Sequence, residues 1–168
     1  MFKPLNDVLG YRVGDQVIVL LAELLKEVFH ASDDFVGHIG GDDFVVISSS
    51  SSANYNAGTV QSLFAERSRR FYSDCILKSG FIESEDRNGQ PCRFPLVSLS
   101  AGTVEVGPDE KVTADQISEF ASFAKTRAKA SPNFRFVVFS RARSGERSEG
   151  SQDSDGSCVS CVLGEVQN

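Results

Sequence analysis

Cysteine is scarce: Cys75, Cys92, Cys158 and Cys161 are the four in 168 residues. That is too few for a disulfide scaffold, so a reducing cytoplasm is the expected compartment. Cys158 and Cys161 have C-x-x-C spacing, but no second Cys or His pair stands at zinc spacing, which rejects a zinc site. Long apolar runs are absent too. The most apolar stretch, Val17 to Phe29, is interrupted by Glu23, Lys26 and Glu27. It falls well short of the ~20 residues that span a bilayer, so no membrane anchor is expected. The opening residues lack the apolar core and small-residue cleavage site of a signal peptide. Positive charge is in deficit, with 17 Lys and Arg against 23 Asp and Glu and a net charge of −6. This argues against general binding to nucleic-acid backbones, yet leaves room for a small phosphorylated ligand held by local donors. What remains is ordinary: 40% hydrophobic and 24% charged residues suffice for one packed domain.

The hydrophobic pattern sets the elements. Val17, Leu20, Leu21, Leu24, Leu25 and Val28 fall on one face of a helix from Gly14 to Phe29. Phe35–Ile39 and Phe44–Ile47 read as two strands joined by Gly40-Gly41-Asp42-Asp43, a hairpin. A serine-rich loop, Ser48 to Ser52, precedes a second helix from about Asn56 to Tyr72. A second hairpin is expected around Asn88-Gly89, whose residues suit a tight turn. Pro95 to Val104 reads as a strand, Thr113 to Lys129 as a third helix, and Phe134 to Phe139 as a last strand. This order predicts an α+β sandwich with helices on one face of a largely antiparallel sheet. A ferredoxin-like βαββαβ unit opens with a strand; this chain opens with a helix.

The densest chemistry lies at Gly40-Gly41-Asp42-Asp43-Phe44. Two glycines let a backbone approach a phosphate closely. Two adjacent carboxylates at a hairpin tip offer hard oxygen ligands to Mg²⁺. Read alone, the same residues make a good turn and nothing more. Upstream stand Phe2-Lys3-Pro4-Leu5-Asn6-Asp7 and Gly10-Tyr11-Arg12-Val13-Gly14-Asp15. Asn6 and Asp15 beside helix starts also read as caps, and Lys129 also reads as a solvated lysine favoured by the helix dipole.

Taken in order, these motifs resemble the GGDEF domain of diguanylate cyclases. That family carries F-K-x-x-N-D, then G-[HY]-x-x-G-D, a helix, GG[DE][DE]F at a hairpin, an S-x-G strand and an A-K helix end. Ser100-Ala101-Gly102 and Ala128-Lys129 match the last two. The resemblance runs from about Phe2 to Phe139, and the spelling is similar to divergent GGDEF domains found beside EAL and CBS domains. It implies a ferredoxin-like, palm-type nucleotide cyclase fold. In such a family two domains each bind one GTP, and a dimer joins them into cyclic di-GMP, the 3′-hydroxyl of one GTP attacking the α-phosphate of the other with Mg²⁺ stabilising the charge. By position, Asn6 and Asp15 would hold guanine, and the backbone of Phe2 and Lys3 with Gly40 and Gly41 would cradle phosphates. Asp42 would ligate metal, Asp43 would sit near the reacting hydroxyl, and Lys129 would reach the terminal phosphates.

The sequence departs from that pattern in several places. Asp43 stands where Glu is usual, one methylene short, and such misplacement can cost on the order of 10²-fold in rate. Counted from Lys129, the usual arginine four residues on is Asn133. The product-inhibition R-x-x-D is replaced by Ala31-Ser32-Asp33-Asp34, and the arginine two residues before the glycines is His38. The family's first strand, central in the sheet and ending in D-x-D, does not precede Phe2. The far end of the chain offers a substitute: Val162-Leu163-Gly164-Glu165-Val166-Gln167-Asn168, set before Phe2, reads like that strand with Glu165 and Gln167 at the Asp positions. The expected organisation is a domain over 1–139, a linker over 140–157 of Ser, Gly and charged residues, and a strand over 158–168 in circularly permuted order; an accidental likeness in a frayed tail is the other reading. An 18-residue connection extends to ~60 Å, enough to recross a small domain.

The expected function is a degenerate GGDEF domain of bacterial cyclic di-GMP signalling. It would bind GTP or cyclic di-GMP with weak or no turnover, with Asp42 and Glu165 as metal ligands should GTP carry Mg²⁺. An active diguanylate cyclase is the alternative. Expected partners are a second copy or a neighbouring GGDEF or EAL domain, with no nucleic acid and no membrane insertion.

Overall fold

The computed structural model describes residues 3–86, 88–107, 110–129, 133–138 and 159–167. A short helix α1 (Lys3–Leu9) leads into α2 (Tyr11–Val28). The stripe read from the sequence is the buried one: Val17, Leu20, Leu21, Leu24 and Leu25 face inward with Gly14. Each fully buried Leu contributes roughly 1.5–3 kcal/mol relative to exposure, so this face fixes α2 against the sheet. β1 (Phe35–Gly40) and β2 (Asp43–Ser48) form the expected antiparallel hairpin.

After α3 (Ala53–Arg67), a 3-10 turn (Ser68–Phe71) and α4 (Asp74–Ser79), the chain makes a separate two-stranded sheet from β3 (Phe81–Glu85) and β4 (Pro91–Pro95). Its connection is longer than the tight turn expected at Asn88-Gly89. The Asp86 carboxylate accepts from the Asn88 and Gln90 amides at 2.8 and 2.9 Å, while Gly89 takes φ 76°. The strand expected from Pro95 breaks at Leu96-Val97 and resumes as β5 (Ser98–Val106). At that break the buried Tyr72 hydroxyl accepts the Val97 amide at 2.9 Å, satisfying a donor that has left the ladder. Burial raises the Tyr72 pKa, and this backbone bond partly opposes the shift.

α5 (Ala114–Ala128) starts at a capping box, in which Thr113 and Gln116 exchange side-chain-to-backbone hydrogen bonds. β6 (Asn133–Val138) and β7 (Val159–Gln167) complete the main sheet, whose order is β1-β2-β7-β5-β6. β7 is central and antiparallel to both β2 and β5; β6 is parallel to β5.

Helices cover both faces of this sheet, not the single face expected. Phe44, Val46, Leu99 and Ala101 share the large core with α2 and α3, whereas Val45, Val104 and Val106 pack against Ala121, Ala124, Ile117 and Phe120 of α5. The alternation that makes Phe44 and Val45 point to opposite faces requires two cores, because both sides of β2 are apolar. Among the described residues no helix is long and apolar enough to cross a membrane.

Candidate functional site

The β1–β2 tip is built by backbone conformation. Gly40 and Gly41 have φ of 152° and 58°, values that disfavour a side chain at either position. A Cβ at either glycine would meet nothing within 4 Å, so the tip presents open backbone. The ladder slips between His38 and Gly40, which leaves Ile39 exposed at a bulge. His38 clamps the turn: its Nε2 donates to the Gly41 carbonyl at 2.9 Å and its ring stacks on Phe44 with centroids 4.5 Å apart. A stacked imidazole thus stands where the resemblance expects an arginine.

Asp42 and Asp43 follow, both partly buried. Lys125 of α5 reaches across and donates from Nζ to Asp43 Oδ1 at 2.6 Å, the two side chains being 29% and 32% exposed. Together Ile39, Asp43, Phe44, Ser118, Ala121, Ser122 and Lys125 line a cavity of about 230 Å³. Gly102 explains how Lys125 gets there. A Cβ on Gly102 would lie 2.6 Å from the Ala124 carbonyl carbon and 2.8 Å from the Lys125 amide nitrogen. Only a glycine lets α5 settle this close to β5. The glycine of Ser100-Ala101-Gly102 therefore acts through packing, and its packing sets the height of Lys125 over the hairpin tip.

On the other side of the tip, the register pairs Asp43 with Glu165 of β7, and Glu165 in turn with Ser100 of β5. The sheet therefore brings the backbones of these positions together. Mg²⁺ is held by one or two carboxylates completed by water and phosphate oxygens. Asp42 and Asp43, adjacent at an open tip with Glu165 in register, are donors of the right hardness for it. Among the described residues no cluster of three metal-binding side chains is preassembled.

The other expected site residues are placed as follows. Asn6 lies on α1, half-buried, with its Oδ1 buried and without a hydrogen-bond partner among the described residues. Asp15 is exposed on α2 and lines a cavity of about 450 Å³ with Arg12, Gln16, Val19, Glu23, Arg70 and Phe71. Asp15 and Asp43 thus line different cavities. Lys3 opens α1 and pairs with Asp7 at 3.1 Å. Phe2 lies outside the described residues. Lys129 is the exposed residue closing α5, one turn beyond Lys125. Lys125 was missed in the sequence, although a signal was there: Ala124-Lys125 repeats Ala128-Lys129 one helical turn earlier, and periodicity alone cannot choose between them.

Residues 1–75 match the family described as diguanylate cyclase, GGDEF domain. The chain is 27% identical over 128 residues to "Diguanylate cyclase DosC" of Shigella sonnei, an alignment covering 76% of this chain and 25% of that protein. It is 44% identical over 52 residues to "Probable diguanylate cyclase DgcC" of Escherichia coli K12, covering 31% and 14%. It is 41% identical over 46 residues to "Signaling protein YkoW" of Bacillus subtilis, covering 27% and 6%. The chain therefore spans a quarter or less of these relatives. No solved structure matches it.

Proposed function

We propose that the chain carries a GGDEF domain of cyclic di-GMP signalling and that it binds GTP or cyclic di-GMP with little or no turnover. The observation that carries this reading is the contact of Lys125 Nζ with Asp43 Oδ1 at 2.6 Å. An ammonium beside a carboxylate tip suits a phosphate held with a cation. The same contact ties up one oxygen of the carboxylate that would face the reacting hydroxyl, and that carboxylate is already one methylene shorter than usual.

In this reading Lys125, and not Lys129, is the A-K lysine. The position four residues on is then Lys129 instead of Asn133, so a cation is kept where the family has its arginine. The open amides of Gly40 and Gly41 face the phosphates. Asn6, whose buried Oδ1 lacks a partner among the described residues, and Asp15 hold the guanine edge, since a carboxylate can accept from both its N1–H and its 2-amino group. Asp42 and Glu165 are the residues that would hold Mg²⁺, which would supply neutralisation of phosphate charge. β7 stands for the family's first strand, in circularly permuted order, and the Asp43–Glu165 register supports this. On this reading the protein works in the cytoplasm, with a second copy or a GGDEF or EAL domain as partner.

Calorimetry with GTP and with cyclic di-GMP, alongside a product assay with GTP and Mg²⁺, tests the proposal. Heat with one of the nucleotides and at most trace product is expected. Brisk synthesis would instead select the active cyclase, the reading favoured by the length of the match to DosC; no heat with either nucleotide would remove both. Asp15→Ala should abolish binding, and unchanged affinity would retire the guanine assignment.

A further inference from the structure

β7 occupies the middle of the main sheet, yet no short connection ties it to either neighbour. β2 and β5 flank it, and β6, the strand before it in sequence, lies on the far side of β5. The registers Val106 with Val138 and Val106 with Val159 put the end of β6 and the start of β7 at the same end of the sheet. Two strand spacings, about 10 Å, separate them. The 20 residues from 139 to 158 reach about 65 Å when extended. The connection is several times longer than closure within one chain requires.

We propose that β7 is an exchangeable strand: the central slot of one copy accepts Val159–Gln167 of a second copy, so that Asp43 and its register partner Glu165 come from two chains. Without β7, β2 and β5 each present an open ladder edge, and their backbone groups demand a partner. The strand that satisfies them makes the same registers, Asp43 with Glu165 and Ser100 with Glu165, whichever chain supplies it. Only the tether distinguishes the two arrangements, so chain concentration and tether length decide between them. The inference does not depend on nucleotide binding, and its test reads chain connectivity alone.

Val104 and Cys161 are register partners on β5 and β7. Antiparallel partners lie about 4.5–5.5 Å apart between Cα atoms, within disulfide range. The full chain carrying Val104→Cys, with Cys75, Cys92 and Cys158 changed to Ser, is refolded, oxidised and resolved by non-reducing electrophoresis. Refolding at ~1 µM is expected to close the bond within one chain, and refolding at ~1 mM to enrich linked dimers at least about tenfold. In the same chain lacking Ser140–Ser157, the two remaining connecting residues cannot pass round β5, and linked dimers are expected at both concentrations. A bond closed within single chains in the deletion variant, or single-chain products alone at the high concentration, would overturn the proposal. So would the absence of any bond in the full-length variant, because β7 would then not lie beside β5.

Discussion

Asp43 and Lys125 are 82 residues apart in the chain and 2.6 Å apart in space. The carboxylate was legible because two aspartates after two glycines make a turn whose tip must be polar. The lysine was not, because Lys125 and Lys129 occupy adjacent turns of one helix face and only the depth of α5 over the sheet separates them. Asp43→Glu restores the missing methylene and probes whether carboxylate reach limits turnover. Cyclic di-GMP formation should rise by up to about 10²-fold in a product assay; an unchanged rate would place the deficit elsewhere in the site. His38, which stands where the resemblance expects an arginine, belongs instead to the hairpin through its bond to Gly41 and its stack on Phe44.

At the scale of elements, α5 is positioned by what Gly102 lacks. Gly102→Ala forces a Cβ to within 2.6 Å of the helix backbone, so α5 must lift. A loss of about 1–3 kcal/mol is expected in urea unfolding, and any nucleotide affinity supplied by Lys125 should fall with it. The α2–α3 pair is stitched at the surface by Arg67, which donates to both oxygens of Glu27 at 2.7 and 2.9 Å. This hydrogen bonding holds the Glu27 carboxyl below its ordinary value. A depressed carboxylate stabilises the fold above its unfolded pKa and loses that contribution as pH falls through the folded value. The melting-temperature gap between the parent and Arg67→Ala should therefore be flat from about pH 5.5 to 8 and close below about pH 4. A gap that persists at low pH would assign Arg67 a packing role instead. The β3–β4 loop escaped the sequence reading for a local reason: Asp86 gathers two amides and stabilises a longer connection than Asn88-Gly89 suggests.

For the whole molecule, the apolar period of α2 and the short apolar run of β2 after a glycine turn specified their elements well. The two-sided covering of the sheet was less legible, because Phe44-Val45-Val46 is apolar throughout and leaves one face or two equally open until the helices are placed. The place of β7 between β2 and β5 carried one cue in the sequence, its likeness to the family's first strand. Its centrality makes stability cooperative around it. Gly164, opposite both Phe44 and Ala101, sits where proline would remove a ladder donor inside a sheet. Gly164→Pro should abolish the cooperative urea transition of the domain instead of loosening one edge, and a parent-like transition would contradict the central placement.

The position of β7 also sets a timetable for synthesis. When β6 has been translated, the 29 residues from 139 to 167 are still to come, about 1.5–6 s of ribosome time at ~5–20 residues per second. Through that interval the nascent domain holds two unzipped halves, exposed to chaperones and to neighbouring polysome products, and it closes only when its last strand arrives.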